Sequence, residues 1–165
     1  MEREDLEISV VDLGSRDGVN IILAQSHFIK TAEDVYEVLK TAVPGMKFGI
    51  AFNEASGPKL VRTEGNDGPL VSLAAENAMK VGAGHLLVIA IEDAFPINIL
   101  NALKNVSEIT HIYCATSNKL RVVVCSDGMA RSVLGVMDGE MPERVEGEKE
   151  KQERREFLRR IGYKL

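Results

Sequence analysis

No run in this sequence approaches the ~20 apolar residues that a membrane-spanning helix needs. The longest, Leu86 to Ile91, is far too short. The acidic start, MEREDLEIS, lacks the apolar core of a signal peptide. Both absences place the expected protein in the cytoplasm, away from membranes. Cysteine is nearly absent too. Cys114 and Cys125 form no CxxC pair, which argues against a structural zinc site. Each sits in an apolar run and reads as a small buried hydrophobe, and no disulfide between them is expected. Basic residues are in deficit: 20 Lys and Arg face 25 Asp and Glu, for a net charge of -5. General nucleic-acid binding depends on Lys and Arg neutralising phosphates, so that class is excluded, while a local basic pocket for one small anion is not.

The standard catalytic signatures are missing as well. There is no GxxxxGK[ST], no GxSxG, no HExxH, and no GxGxxG followed by a ribose-binding acid.

What is present is an ordinary globular composition, 45% hydrophobic and 27% charged, over 165 residues. That length suits one domain, 1–165, able to bury a core without staples. Leu6, Ile8 and Val10 alternate with polar residues, and Val19 to Ala24 follow a turn-rich GSRDG, so the pair reads as a hairpin. Thr31 reads as the N-cap of a helix carrying Val35, Val38, Leu39 and Ala42, which Pro44-Gly45 ends. Met46 to Phe52 is the clearest strand, and Leu60 to Thr63 returns beside it. Pro69 opens a helix, apolar nearly all round, that ends near Val81-Gly82.

The run LLVIAI predicts a strand buried on both faces, covered by helices or by a partner subunit. Pro96 begins a further helix. Ile109 to Thr116 and Leu120 to Cys125 read as a second hairpin about Ser117-Asn118, and Arg131 to Met137 as another strand. Residues 149–165 predict a charged, peripheral helix with a tail that tacks it down. Hairpins interleaved with helices imply an α/β fold: a single three-layer domain with a mixed β-sheet flanked by helices.

Candidate chemistry clusters beside glycines at element boundaries. His85 follows Gly82-Ala83-Gly84 at the start of the buried strand, where imidazole can act as base or nucleophile; it also reads as a hydrogen-bonded histidine at the core edge. Gln25 to Lys30 offers His27, Ser26 and Lys30 in one loop, or a turn with Phe28 plugging the core. Glu54, Ser56 and Arg62 lie about a hairpin tip and can hold a polar ligand, though such tips carry these residues for no chemical reason too. Asn66 and Asp67 precede a helix whose N-terminus attracts anions; Asp67 reads equally as an N-cap. Asn98, with Asn101, shares a helical face that either reads a base edge or faces solvent. His111, within a strand, reads as structural.

Taken in order, QSHFIKTAEDVYEVL, VPGMKFGIAFNEASGPKLVRTEGND, NAMKVGAGH, AFPINILNALKNV, CATSN, GVMDG and RRIGYKL closely resemble the adenosine-specific kinase family. The resemblance runs from about Leu6 to Leu165. It implies a compact α/β domain, a homotrimer, adenosine and AMP as ligands, and a phosphorylated histidine, carried over to His85 or, second, His27. It also carries Glu54, Ser56, Arg62, Asn66 and Asp67 into a nucleoside and phosphate pocket. One departure shows: Gly68-Pro69 follow GND where the family pattern has a polar or acidic residue.

The implied function is phosphoryl transfer involving adenosine's 5′-hydroxyl, with ATP or another phosphate donor and Mg²⁺, the ion held by Asp67 or Glu54. Arg62 or Lys30 would neutralise developing charge. The alternatives are a non-catalytic module that senses adenosine or AMP, and a structural subunit of a larger assembly.

Overall fold

The computed structural model describes residues 6–165; the acidic residues 1–5, part of the segment in which no signal peptide is expected, lie outside it. Strands β1 (Glu7–Asp12), β7 (Leu120–Ser126) and β8 (Arg131–Asp138) form one sheet in the order β1-β7-β8. Strands β2 (Asn20–Ser26), β3 (Lys47–Asn53), β4 (Val61–Gly65), β5 (Leu86–Glu92) and β6 (Ile109–Thr116) form a second, ordered β4-β3-β5-β2-β6. Helices α1 (Thr31–Ala42) and α3 (Pro96–Leu103) cover one face of the five-stranded sheet, through Val35, Leu39, Ile99 and Leu103. Helix α2 (Gly68–Val81) and the three-stranded sheet together cover the other, through Leu70, Ala74, Ala78, Val122 and Val124. Helix α4 (Glu148–Arg160) follows at the C-terminus.

The α/β class and three layers stand, but the mixed sheet does not: every strand pairing in both sheets is antiparallel. The helices explain the difference. Each crossover carries the chain two positions along the sheet, β2 to β3 by α1, β4 to β5 by α2, and β5 to β6 by α3. The two strands that a helix joins run parallel, but an antiparallel strand always lies between them.

Of the predicted hairpins, only β3–β4 forms, with Phe52 opposite Arg62. The β1 and β2 runs lie in different sheets, because the loop between them is pinned elsewhere. Leu13 N–H donates to Leu120 O, and the buried Asn77 carboxamide bonds both the N–H and the C=O of Gly14. Likewise Ser117-Asn118 is a corner between sheets, where Thr116 Oγ1 and Asn118 Nδ2 converge on Asp138 Oδ1.

Strand β5 is buried from Leu86 to Ile91, with α1 and α3 on one side and α2 on the other. Its apolar run is thus satisfied within one chain and needs no partner subunit. The apolar side of β1 points outward instead: Leu6 and Ile8 are each 65% exposed. Thr31 is not the α1 N-cap; Lys30 holds that position without a side-chain cap, and the Thr31 hydroxyl is buried against Ser26 Oγ at 2.7 Å. Asp34, three places on, pairs with Lys30. Phe28 does not plug the core; it is exposed, with φ at 74°. The C-terminal tail is tied to its own helix, Tyr163 N–H and Lys164 N–H both donating to Leu158 O.

Candidate functional site

Antiparallel pairing brings the two candidate histidines together across 58 positions of sequence (85 − 27). Ser26 N–H donates to His85 O at the point where β2 ends and β5 begins, so His27 and His85 lie just beyond the adjacent ends of these two strands. His85 itself is held from the other side, its N–H donating to Asn53 O at 2.8 Å. Its φ is 60°, a left-handed conformation uncommon outside glycine and associated with functional sites. Its ring stacks on Phe52, centroids 5.8 Å apart and planes 12° apart. Orientation therefore comes from stacking, and no protein group among the described residues bonds either ring nitrogen. His27 is exposed.

Arg62, opposite Phe52 in the β3–β4 ladder, shares the face on which His85 stacks. Its Nε donates to Glu54 Oε1 at 2.7 Å and its Nη2 pairs with the same oxygen at 2.6 Å, while Leu60 N–H donates to Oε2 at 2.8 Å. The Leu60 amide first, then the Arg62 guanidinium, holds the Glu54 carboxyl below its ordinary value. Ser56 sits at the exposed turn between them. Lys30 comes to the same end of the sheet but is engaged by Asp34 and, at 2.7 Å, by Glu108; these bonds push its pKa upward.

Behind this turn lies a cleft of about 480 Å³, lined by Asn53, Glu54, Lys59, Met79, Gly84 and Arg131 among others. Asn53 Nδ2 donates to Ala78 O and Ala83 O, tying the end of β3 to the end of α2 and to the GAGH loop. Its Oδ1 is buried with no donor. Gly84 is required here: a Cβ would come within 2.9 Å of Ala55 Cβ. Arg131 reaches over from β8 to the last carbonyls of α2, Lys80 O and Val81 O, where a cation complements the helix dipole. A larger cleft, about 590 Å³, lies beside Phe95, Asn101 and Ser117, but no histidine or carboxylate lines it.

Asn66, Asp67 and Asn98 are not part of this cluster. Asn66 clamps the start of β3, accepting from Phe48 N–H and donating to Met46 O. From Phe48 to Asn53 the strand rises about 17 Å, which separates the two ends. Asp67 is the α2 N-cap, Oδ1 accepting from Leu70 N–H at 3.1 Å. Asn98 Oδ1 accepts from Phe95 N–H at the start of α3. Each of the three side chains is bonded to main chain. His111 lies in β6, edge-on to Tyr113 and on the ladder opposite Gln25.

Sequence reasoning missed Phe52, Asn53, Arg131 and Glu108. Glu108 carries no motif; only tertiary contacts show that its side chain is 3% exposed, with Oε1 on Lys30 and Oε2 unpartnered. Asn53 stood next to the noticed Glu54, on the opposite side of an alternating strand, which was a usable signal.

A family profile described as adenosine specific kinase matches residues 11–164. The chain belongs to the adenosine-specific kinase family. No curated protein matches it. Among solved structures it is similar to the crystal structure of the PH1918 protein from Pyrococcus horikoshii OT3, at 46% identity and a TM-score of 0.94. That match covers 98% of this chain and 99% of that one. Family membership thus extends over both sheets and the cluster around His85.

Both cysteines are free, as expected, and half-buried. Burial pushes the Cys114 thiol up to about 11. Among the described residues no three His, Cys, Asp or Glu side chains group as a metal site, and no helix is long and apolar enough to cross a membrane.

Proposed function

We propose that the protein is an adenosine- and AMP-binding phosphotransferase that passes a phosphoryl group through His85 to or from adenosine's 5′-hydroxyl. The observation that carries this reading is the His85 geometry: a left-handed backbone, a ring fixed by stacking on the face that Arg62 shares, and both nitrogens free of partners among the described residues. An imidazole nitrogen would take the phosphoryl group from a donor such as ATP, the bond to the leaving diphosphate breaking. The 5′-hydroxyl oxygen would then attack phosphorus, the N–P bond would break, and the hydroxyl proton would pass to the imidazole. Arg62 keeps N–H groups free beyond its Glu54 contacts, and these would face phosphate oxygens. Lys30, Ser56 and His27 border the same end, and His27 is the second candidate for the phosphorylated residue. Asn66, Asp67 and Asn98 would contribute only through the elements they cap.

Mg²⁺ does not fit as a protein-held ion on the proposed carboxylates. Both Glu54 oxygens accept bonds, and Asp67 Oδ1 caps α2. The ion would arrive on the donor's phosphates. We extend the reading to a homotrimer in the cytoplasm that does not bind nucleic acid, the last in keeping with a net charge of -5.

The commitment of Glu54 to Arg62 and Leu60 favours one second reading. Glu54 and Glu108, the carboxylates at this end of the sheet among the described residues, are both committed to cations, as suits a module that senses adenosine or AMP without turnover. Purified protein incubated with adenosine, ATP and Mg²⁺, with other nucleosides as controls, separates the two. AMP from adenosine alone, lost in His85→Asn and retained in His27→Asn, is the expected result. Wild-type AMP formation by His85→Asn removes the nucleophile from that residue, and tight adenosine binding without AMP establishes the sensor.

A further inference from the structure

The cleft of about 590 Å³ beside Phe95 has the volume of a small-ligand site and takes no part in the proposed His85 chemistry. It is lined by the start of β2, the end of β6 and helix α3. His85 precedes β5 and Phe95 follows it; from Leu86 to Glu92 that strand rises about 20 Å, so the two places lie at opposite ends of the sheet.

Three groups on this lining are left unused by the fold. Asn20 is 8% exposed, yet its carboxamide is nearly unbonded. Nδ2 reaches Ala94 O only at 3.4 Å, and Oδ1 accepts from no donor among the described residues. Unlike Asn53 Oδ1 and Glu108 Oε2, this oxygen is not closed off from solvent. A buried carboxamide without partners is costly, so Asn20 is satisfied by whatever fills the cleft. Phe95 is 61% exposed although its backbone is fixed, its N–H donating to Asn98 Oδ1 at 3.0 Å and Pro96 following it. Its ring pairs with no other aromatic ring among the described residues. Lys104 is the one charged residue on the lining. Glu92 and Asp93, at the end of β5, pair with Arg16 and Lys47 instead, and Lys104 enters no ion pair among the described residues.

These groups define a ligand. An unpaired cation with no carboxylate nearby on the lining selects an anion. A fixed, exposed ring selects a planar body that can stack on it. The carboxamides of Asn20 and Asn101 each donate and accept, which matches a ring edge carrying both donors and acceptors, as a nucleobase does. Phe95 and Lys104 are separated by about 13 Å along α3, a span that the lysine stem and the sugar of a nucleotide bridge together.

We propose that this cleft is a second nucleotide site, which takes a nucleoside monophosphate with its base on Phe95 and Asn20 and its phosphate on Lys104. The site binds without reacting, since it is too far from His85 of the same chain to exchange a phosphoryl group with it. It does not rest on the His85 chemistry and stands or falls separately.

The chain contains no tryptophan, so Phe95→Trp places a single fluorescent reporter at the cleft. AMP, GMP, CMP and UMP are titrated in turn, with inorganic phosphate as the control. At least one nucleotide should quench the emission saturably, and equally in a His85→Asn background. Lys104→Glu should raise the half-saturation concentration about tenfold or more. Phe95→Ala in the otherwise unaltered chain should weaken the same nucleotide about tenfold or more by calorimetry, a readout that does not need the tryptophan. Phe95 and Lys104 are exposed, so circular dichroism should be unchanged in each variant. No saturable quenching and no effect of Phe95→Ala overturns the site. So does quenching by phosphate alone, which marks an anion patch, or quenching lost with His85→Asn, which marks binding at the other end of the sheet. A Phe95→Ala chain with a changed mass on a sizing column and unchanged nucleotide affinity overturns it too, and assigns the ring to a contact between copies.

Discussion

Gly49→Ala is the most informative single change for the fold. Gly49 lies mid-β3 directly beneath the first turn of α2, and a Cβ there would fall under 3.0 Å from the Leu70 carbonyl group and the Val71 nitrogen. Those atoms are helix backbone and cannot rotate away. Ordinary carbon contacts lie at about 3.5–4.0 Å, so α2 must withdraw by on the order of 1 Å. A gap of that size forfeits a quarter to a half of each dispersion contact along the helix, and Leu70, Leu73, Ala74, Ala78 and Val81 all bury through it. Overpacking against flexible side chains costs about 1–3 kcal/mol; against fixed backbone the expected loss is about 3 kcal/mol or more. For a domain this size that lowers Tm by about 6–12 °C. Gly135→Ala is the control, since a Cβ on that β8 residue meets nothing within 4 Å. Thermal unfolding of the two variants at one protein concentration decides the matter. A Gly49→Ala protein that melts within about 2 °C of the control would refute the close approach of α2 to β3.

Asn77→Ala removes both bonds to the Gly14 peptide and should destabilise the chain by about 2–4 kcal/mol in urea unfolding, mainly by freeing the crossing between the two sheets. Glu54 has a folded pKa below its ordinary 4.5, so its contribution is complete above that value and is lost as pH falls through the depressed one. Glu54→Gln should therefore flatten the acid limb of the stability curve in that window and leave its shape near neutrality unchanged, as read by unfolding from pH 7 down to pH 3. Cys114, with its thiol raised to about 11, should resist a thiol reagent at pH 8 in the native Cys125→Ser protein and react freely once unfolded.

Much of this site was legible in single residues and little of it in their grouping. His85 stood out because a histidine beside two glycines at a strand start is placed to reach a ligand, and there the chain adopts a left-handed turn. Glu54 and Arg62 were legible because a hairpin joins near neighbours, and that hairpin forms. The grouping of Asn66 and Asp67 was not legible, because an Asn-Asp pair between glycines looks alike whether it binds an anion or caps a helix. Here the caps are satisfied by Phe48, Met46 and Leu70 main chain, at the far end of the sheet.

The sequence alone determined the local elements. Period-two and period-3.6 patterns, Pro69 and Pro96 at helix starts, and Gly82 at a helix end act through neighbours a few residues away, so they can be read along the chain. Motif order likewise carries the family in the sequence itself. Strand partners were decided only in three dimensions. The choice between a hairpin and a crossing at Gly14 or Ser117 depends on Asn77 and Asp138, distant residues that bond one loop conformation and not the other. The same non-local bonding brought His27 to His85, separated Asp67 from both, and left the apolar sides of β1 and α4 facing outward.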